Sequence, residues 1–375
     1  MIKRLLTSNI KKDLAGTTKI IILYGPRQVG KTTIVKDLVS AFPDVLHVNA
    51  DQLIYNEIFS SRDLQRMQQF IGEKKLLFID EAQNIRDIGI NLKILHDEMP
   101  KLKIVVTGSS SFDLANKIRE PLTGRTKTYQ LFPLSAEEII NDSSVFEYQN
   151  QIEQLMRFGS YPEVLLMKNQ DAKKDHLIEL SASYLYKDVL QLSGIRYAEK
   201  IRKLLQLLAL QIGNLVSINE LSTALRLNHE TVSNYIDLLE KGFIIFRLGG
   251  YSSNPRKEIT KMSKIYFYDL GIRNSLINNF NPIDLRNDSG EMWENYLIAE
   301  RMKRNAYARE NKHSYFWRTY TGVELDYVED ADGQLHGYEI KWNKKAKAPS
   351  TWKSTYPEAR FTALHKDEYM SFITK

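Results

Sequence analysis

Apolar and polar positions along the 375-residue chain switch between two periods, and the switches mark its elements. Ile20-Ile21-Ile22-Leu23-Tyr24 is an uninterrupted, mostly β-branched run that stops at Gly25. A loop follows, and helical spacing restarts near Lys31, predicting a helix to about Phe42, ahead of Pro43. Val45–Asn49, Lys75–Ile79, Lys103–Thr107 and Thr128–Leu131 read as further strands, and Ile54–Gly72 as a helix. Strands alternating with helices predict an α/β fold, a parallel sheet with helices on both faces. From Glu137 to about Ile195 the spacing is helical, with breaks at Gly159 and Pro162.

The second half changes character. Ile201–Leu215 is an apolar-periodic helix, and Ser217–Leu225 begins with Ser217 and Glu220 in capping-box spacing. A turn at Leu227–His229 leads to a helix, Glu230–Lys241, which Gly242 ends. The strand Phe243–Leu248 and a loop over Gly249–Lys257 complete the pattern of a winged helix-turn-helix. The amphipathic stretch Ser289–Arg304 and three strands, at Ser314–Trp317, Gly322–Val328 and Gln334–Trp342, predict a further small α/β domain.

Composition narrows the class only slightly. Hydrophobic residues make up 43% of the chain, enough for a sizeable core, while mean hydropathy is negative. No apolar run approaches the roughly 20 residues that cross a bilayer, and no secretory leader is expected. Cysteine is absent, which excludes disulfides and thiolate metal sites and fits a reducing, cytoplasmic setting. A formal charge of +6 permits a polyanionic partner without demanding one.

The loop after the first strand carries the sharpest chemistry. Gly25-Pro26-Arg27-Gln28-Val29-Gly30-Lys31-Thr32-Thr33 fits G-x-x-x-x-G-K-[ST], the phosphate-binding loop. Its glycines let successive N–H groups turn toward phosphate oxygens, and the helix start behind them adds a positive dipole end. Lys31 is placed to reach the β- and γ-phosphates of ATP, and the Thr32 hydroxyl to ligate Mg²⁺. The strand ending in Asp80-Glu81 has the Walker B pattern, with Asp80 as a Mg²⁺ residue and Glu81 polarising the attacking water. Ser109, after the strand Lys103–Thr107, is a γ-phosphate sensor or merely a helix-capping serine. Arg125 stabilises transition-state charge, within its own subunit or a neighbour's, or is an ordinary surface arginine.

With these motifs together the chain resembles a large bacterial and archaeal AAA+ ATPase family whose members carry a C-terminal domain of unknown function. The resemblance rests on residues 25–33, Leu76–Gln83, Thr107–Ser110 and Leu131–Ser135, and spans nearly the whole chain. Phe158-Gly-Ser-Tyr-Pro-Glu-Val164 is similar to that family's Gly-Gly-x-Pro signature, with Ser160 replacing the second glycine. It implies an ATPase core at 1–135 and a helical lid at 136–197, then the winged helix at 198–275 and a last domain at 276–375.

That last domain carries a third constellation. Period-two alternation puts Glu339 and Lys341 on one strand face, Asp326 lies on the preceding strand, and Glu294 on the helix before both. Helix acid, Asp and Glu-x-Lys in this order resemble the PD-(D/E)xK restriction-endonuclease-like fold. In such enzymes acids like Glu294, Asp326 and Glu339 hold a metal and a lysine like Lys341 activates water. The winged helix offers Asn228, His229, Thr231, Ser233, Asn234, Arg256 and Lys257 to DNA, although Glu230, Asp237 and Glu240 make it poor in positive charge. Two functions stay open: a Mg²⁺-dependent ATPase coupled to DNA binding or processing, or a regulatory ATPase switch whose C-terminal half binds without cutting. Homo-oligomerisation is also open.

Overall fold

The computed structural model describes residues 2–40, 42–108, 121–184, 198–252, 263–343 and 346–374. They divide into two compact units, one reaching Pro133 and the other beginning at Leu134.

The first unit is built on five strands: β1 (Ile20–Tyr24), β2 (Val45–Asn49), β3 (Leu76–Asp80), β4 (Lys103–Gly108) and β5 (Thr126–Gln130). All pairings are parallel, in the order β2-β3-β4-β1-β5. Every residue of β1 and β3 is buried, as strands covered on both faces must be, which explains their unbroken apolar runs. The helix after β1 spans Lys31–Val39, shorter than its spacing suggests. The single helix expected over Ile54–Gly72 is two, Leu53–Phe59 and Leu64–Ile71. Asp63 causes the break, because its side chain accepts the Arg66 N–H at 3.1 Å and so starts a new helix.

The second unit opens with short helices and holds a mixed sheet of seven strands. These are β6 (Leu215–Val216), β7 (Ile245–Gly250), β8 (Ser263–Phe267), β9 (His313–Arg318), β10 (Glu324–Ala331), β11 (Gln334–Ile340) and β12 (Arg360–Leu364). Their order is β12-β11-β10-β9-β7-β8-β6. Helices Ile218–Leu225 and His229–Lys241, the antiparallel pair β7–β8 and the short β6 stand where a helix-turn-helix and wing were expected. No packing gap separates residues 198–275 from the last hundred, because β7 pairs in parallel with β9 at Gly249 and Gly250.

The helix Ser289–Ala308 crosses this unit and is buried for most of its length. Several of its buried polar residues are paired. Asn295 exchanges two hydrogen bonds with the backbone of Phe267, at 2.8 and 2.9 Å. Arg301 grips Glu329 with both arms, at 2.7 and 2.6 Å. Lys303 pairs with Glu300 at 2.7 Å, and Glu300 also takes the Ala136 N–H. The Phe158-Gly-Ser run owes its glycine to one neighbour. Gly159 has φ +73°, and a Cβ there would lie 2.0 Å from Asp269 Oδ1, whose other oxygen accepts the Ser160 N–H at 2.7 Å.

Candidate functional sites

β1 delivers the loop at residues 25–30 to the carboxyl edge of the first sheet. Gly25 (φ +157°) has no room for a side chain, since a Cβ would come within 2.1 Å of the Leu131 carbonyl oxygen. Gly30 (φ +93°) turns the chain into the helix Lys31–Val39. Lys31 is buried, and its ammonium donates to the carbonyls of Gly25 at 2.9 Å and Pro26 at 2.6 Å, so its charge sits under the loop. Arg4, buried and far away in sequence, donates to the carbonyls of Val29 and Phe132, each at 2.6 Å. It braces the loop from behind, and nothing in the local sequence marks it out.

The edge of β3 meets this loop. Asp80 is buried, and each carboxylate oxygen has a hydroxyl donor: Thr32 Oγ1 reaches Oδ2 at 2.8 Å, and Thr107 Oγ1 reaches Oδ1. Thr107 was missed in favour of Ser109, which lies outside the described residues. The register shows the signal that could have found it. Ile79 pairs with Val106, so the next residues along, Asp80 and Thr107, are neighbours. Hydroxyl and carboxylate oxygens around a glycine cradle are the donor set a hard cation and its phosphates require, so Thr32 and Asp80 fit Mg²⁺ and the loop fits a nucleotide. Glu81 follows in the left-handed region (φ 53°), an unfavourable conformation for glutamate by about 1–2 kcal/mol. Its carboxylate accepts from Gln83 Nε2 at 2.5 Å.

Arg125 requires a correction. The Ile20 N–H donates to its carbonyl, and Thr126 lies opposite Ile20, so Arg125 stands at the amino edge of the sheet. The phosphate-binding loop leaves the other end of β1, about 13 Å away along the strand. The guanidinium is engaged by Asp97, at 2.8 and 3.0 Å, which holds that carboxyl down at about 2. Arg125 therefore does not serve the loop of its own chain.

In the second unit Asp326, Glu339, Lys341 and Glu294 come together, with a partner the sequence did not suggest. Asp326 lies where the register of β10 against β9 slips, between Leu325 and Val328. Its Oδ2 accepts the Ile340 N–H at 2.8 Å and faces Lys341 Nζ at 3.4 Å. Lys341 also reaches Glu339 Oε1 at 2.8 Å, while Glu339 Oε2 is buried with no hydrogen-bond partner. Burial, then Asp326, raises the Glu339 carboxyl. The Lys341 ammonium is pushed up: burial opposes its charge, but Asp326 and Glu339 outweigh that.

Glu294 departs from expectation. Its Oε1 accepts the Tyr266 hydroxyl at 2.6 Å and pairs with Lys264 at 3.2 Å. Burial first, and Asp326 second, raise its carboxyl to about 8. Glu294 is thus engaged by a tyrosine and a lysine of its own chain. Among the described residues no three acidic or histidine side chains converge to hold a metal ion.

Of the residues expected to meet DNA, Asn228 accepts the Thr231 N–H at 2.7 Å. Two of the acids expected to weaken that face, Asp237 and Glu240, pair with Arg247 of β7 at 2.7 and 2.6 Å. Arg256 and Lys257 lie outside the described residues.

The comparisons with known proteins match three stretches of the chain. Residues 17–140 match the family model of an AAA domain. The first unit is thus similar to an AAA domain over this stretch and carries the P-loop motif. Residues 149–283 match a domain of unknown function, DUF8612, and residues 289–366 another, DUF4143. An uncharacterised protein of Mycobacterium tuberculosis is 28% identical over 329 residues, covering 86% of this chain and 70% of its own length. An uncharacterised protein of Methanocaldococcus jannaschii is 25% identical over 333 residues, covering 83% and 72%. Among solved structures, the Walker-type ATPase of Pyrococcus abyssi superposes with a TM-score of 0.51 at 16% identity, over 74% of this chain and 96% of that one. The likeness is one of fold, a P-loop NTPase sheet. No helix of the described residues is long and apolar enough to cross a membrane.

Proposed function

We propose that the AAA domain binds ATP with Mg²⁺, hydrolyses it to ADP and phosphate, and acts as a nucleotide-driven switch on the rest of the chain. The observation that carries this reading is Asp80 held by Thr32 and Thr107 beside the buried charge of Lys31. The loop N–H groups and Lys31 neutralise the phosphates, and Thr32 and Asp80 are the residues to hold Mg²⁺, which supplies charge compensation as the terminal phosphate departs. Glu81 at the mouth of β3 orients water through its carboxylate and accepts its proton.

Lys31→Ala is expected to abolish ATP binding in a calorimetric titration. Glu81→Gln should bind normally and turn over at least about a hundredfold slower. Unchanged affinity in the Lys31 variant would remove the assignment.

We read 136–197 as a lid, 198–275 as a winged helix and 276–375 as a nuclease-like domain working as an interaction module. The acids Glu230, Asp237 and Glu240 on the helix His229–Lys241 favour this switch over a DNA-cutting enzyme. The two-helix and strand-pair arrangement supports DNA as the first partner to test. Binding to a duplex in the presence of ATP should weaken steeply with salt if phosphates are gripped; no binding at low salt would leave a protein partner.

A further inference from the structure

The C-terminal carboxylates pose a charge problem that the nuclease resemblance does not solve. Glu294, Glu324, Asp326 and Glu339 crowd one region, and buried acids need counter-charges. The structure supplies them from within the chain. Lys264, on β8, is 2% exposed; its ammonium pairs with Glu324 and, at 3.2 Å, with Glu294. Arg318 takes the other oxygen of Glu324 at 2.9 Å. Lys341 lies between Asp326 and Glu339.

We infer that Lys264 is a built-in counter-cation of this cluster, so that lysines and an arginine, rather than a divalent metal, hold its acids together. Four acids then face three cations, each cation within 3.4 Å of at least one of them. A buried lysine is a costly residue unless its charge is used. Here burial opposes the charged form, and Glu294, Asp326 and Glu324 outweigh it, keeping the ammonium charged. The Phe316 ring lies 5.7 Å from Lys264 Nζ and adds a favourable face. With Lys264 in place, Glu294 Oε1 is shared by the lysine and Tyr266. The unpartnered Glu339 Oε2 is the oxygen that an entering metal would complete first, which makes the inference sharp enough to fail.

The test uses the full chain without nucleotide and Mn²⁺ alone as the probe, followed by its paramagnetic resonance signal. The parent and Asp326→Asn should bind Mn²⁺ indistinguishably. Lys264→Met, which keeps length and removes charge, should gain one Mn²⁺ site at least about tenfold tighter than any in the parent, and Asp326→Asn in that background should abolish it. A Mn²⁺ site in the parent that Asp326→Asn removes would overturn the inference. So would a folded Lys264→Met protein that gains no site. If Lys264→Met does not fold, the comparison of parent with Asp326→Asn still decides. The nucleotide reading of the AAA domain is not at stake in any of these outcomes.

Discussion

Thr107→Val isolates one hydrogen bond in the first unit. Valine matches threonine in shape, so the fully buried site on β4 keeps its packing while Asp80 loses the donor to Oδ1. A hydrogen bond to a charged group contributes about 1.5–3 kcal/mol. Thr32 still holds the other oxygen at 2.8 Å, so the carboxylate is loosened rather than released. If Asp80 must be held to place Mg²⁺ for hydrolysis, a similar free energy is lost from the transition state. That corresponds to about a ten- to hundredfold fall in kcat. Affinity for ATP without Mg²⁺ should be unchanged, because Thr107 touches neither the loop nor Lys31 in the described contacts. Steady-state turnover across a Mg²⁺ titration reads the effect, and urea unfolding of the same samples separates it from a stability loss. Thr107→Ser provides the control: it keeps the hydroxyl, removes one methyl group worth about 1 kcal/mol, and should turn over within about threefold of the parent. The reasoning is refuted if the valine variant works at the parental rate with the parental Mg²⁺ dependence, or if serine is as damaging as valine.

Arg125→Ala should leave the turnover of monomeric protein unchanged, since Arg125 faces Asp97 at the opposite edge of the sheet from the loop; a large loss at high dilution would contradict the fold. Glu294 predicts a pH dependence. Its folded carboxyl titrates near 8 and its unfolded one near 4.5, so between those values the unfolded chain binds fewer protons. The stabilisation is complete below about pH 4.5 and is lost as pH rises toward 8, by no more than about 5 kcal/mol. The groups facing Glu294 are Lys264, Tyr266 and Asp326. Urea midpoints at pH 5, 6.5 and 8 should fall in the parent and stay flatter in Glu294→Gln; equal slopes would show that another group titrates.

Where the chain spoke plainly, one residue sequence meant one local geometry. The loop 25–33 needs its glycines for backbone reasons alone, and the buried strands β1 and β3 show as apolar runs because both their faces are covered. The helix break at Asp63 was hidden because the apolar spacing continues across it and only the cap reveals the stop. The reading of Arg125 toward its own chain's loop fails because nearness to a motif along the chain says nothing about which end of a strand it occupies. Thr107, Arg4 and Lys264 share a different difficulty. Each acts through a partner at least 25 residues away, Val29 for Arg4, Asp80 for Thr107 and Glu294 for Lys264, and such pairings become visible only when strand order is known. Glu294 was legible as an acid on a helix, but its role depends on the lysine opposite, which has no motif.

The seam between β7 and β9 bears on how the second half of this molecule can be inherited or dissected. Gly249 and Gly250 give β9 a backbone partner opposite Tyr315 and Phe316, and Tyr251 adds a hydrogen bond to the Phe316 carbonyl at 2.7 Å. Severing the chain near residue 275 would leave one fragment with a bare strand edge beside Phe246 and Leu248, and the other with an open edge at Phe316 and Trp317. Open edges of that composition recruit other chains. The two segments are thus obliged to travel as a pair: fragments should precipitate when expressed apart and recover when refolded together, and a protease should find no clean cut between them.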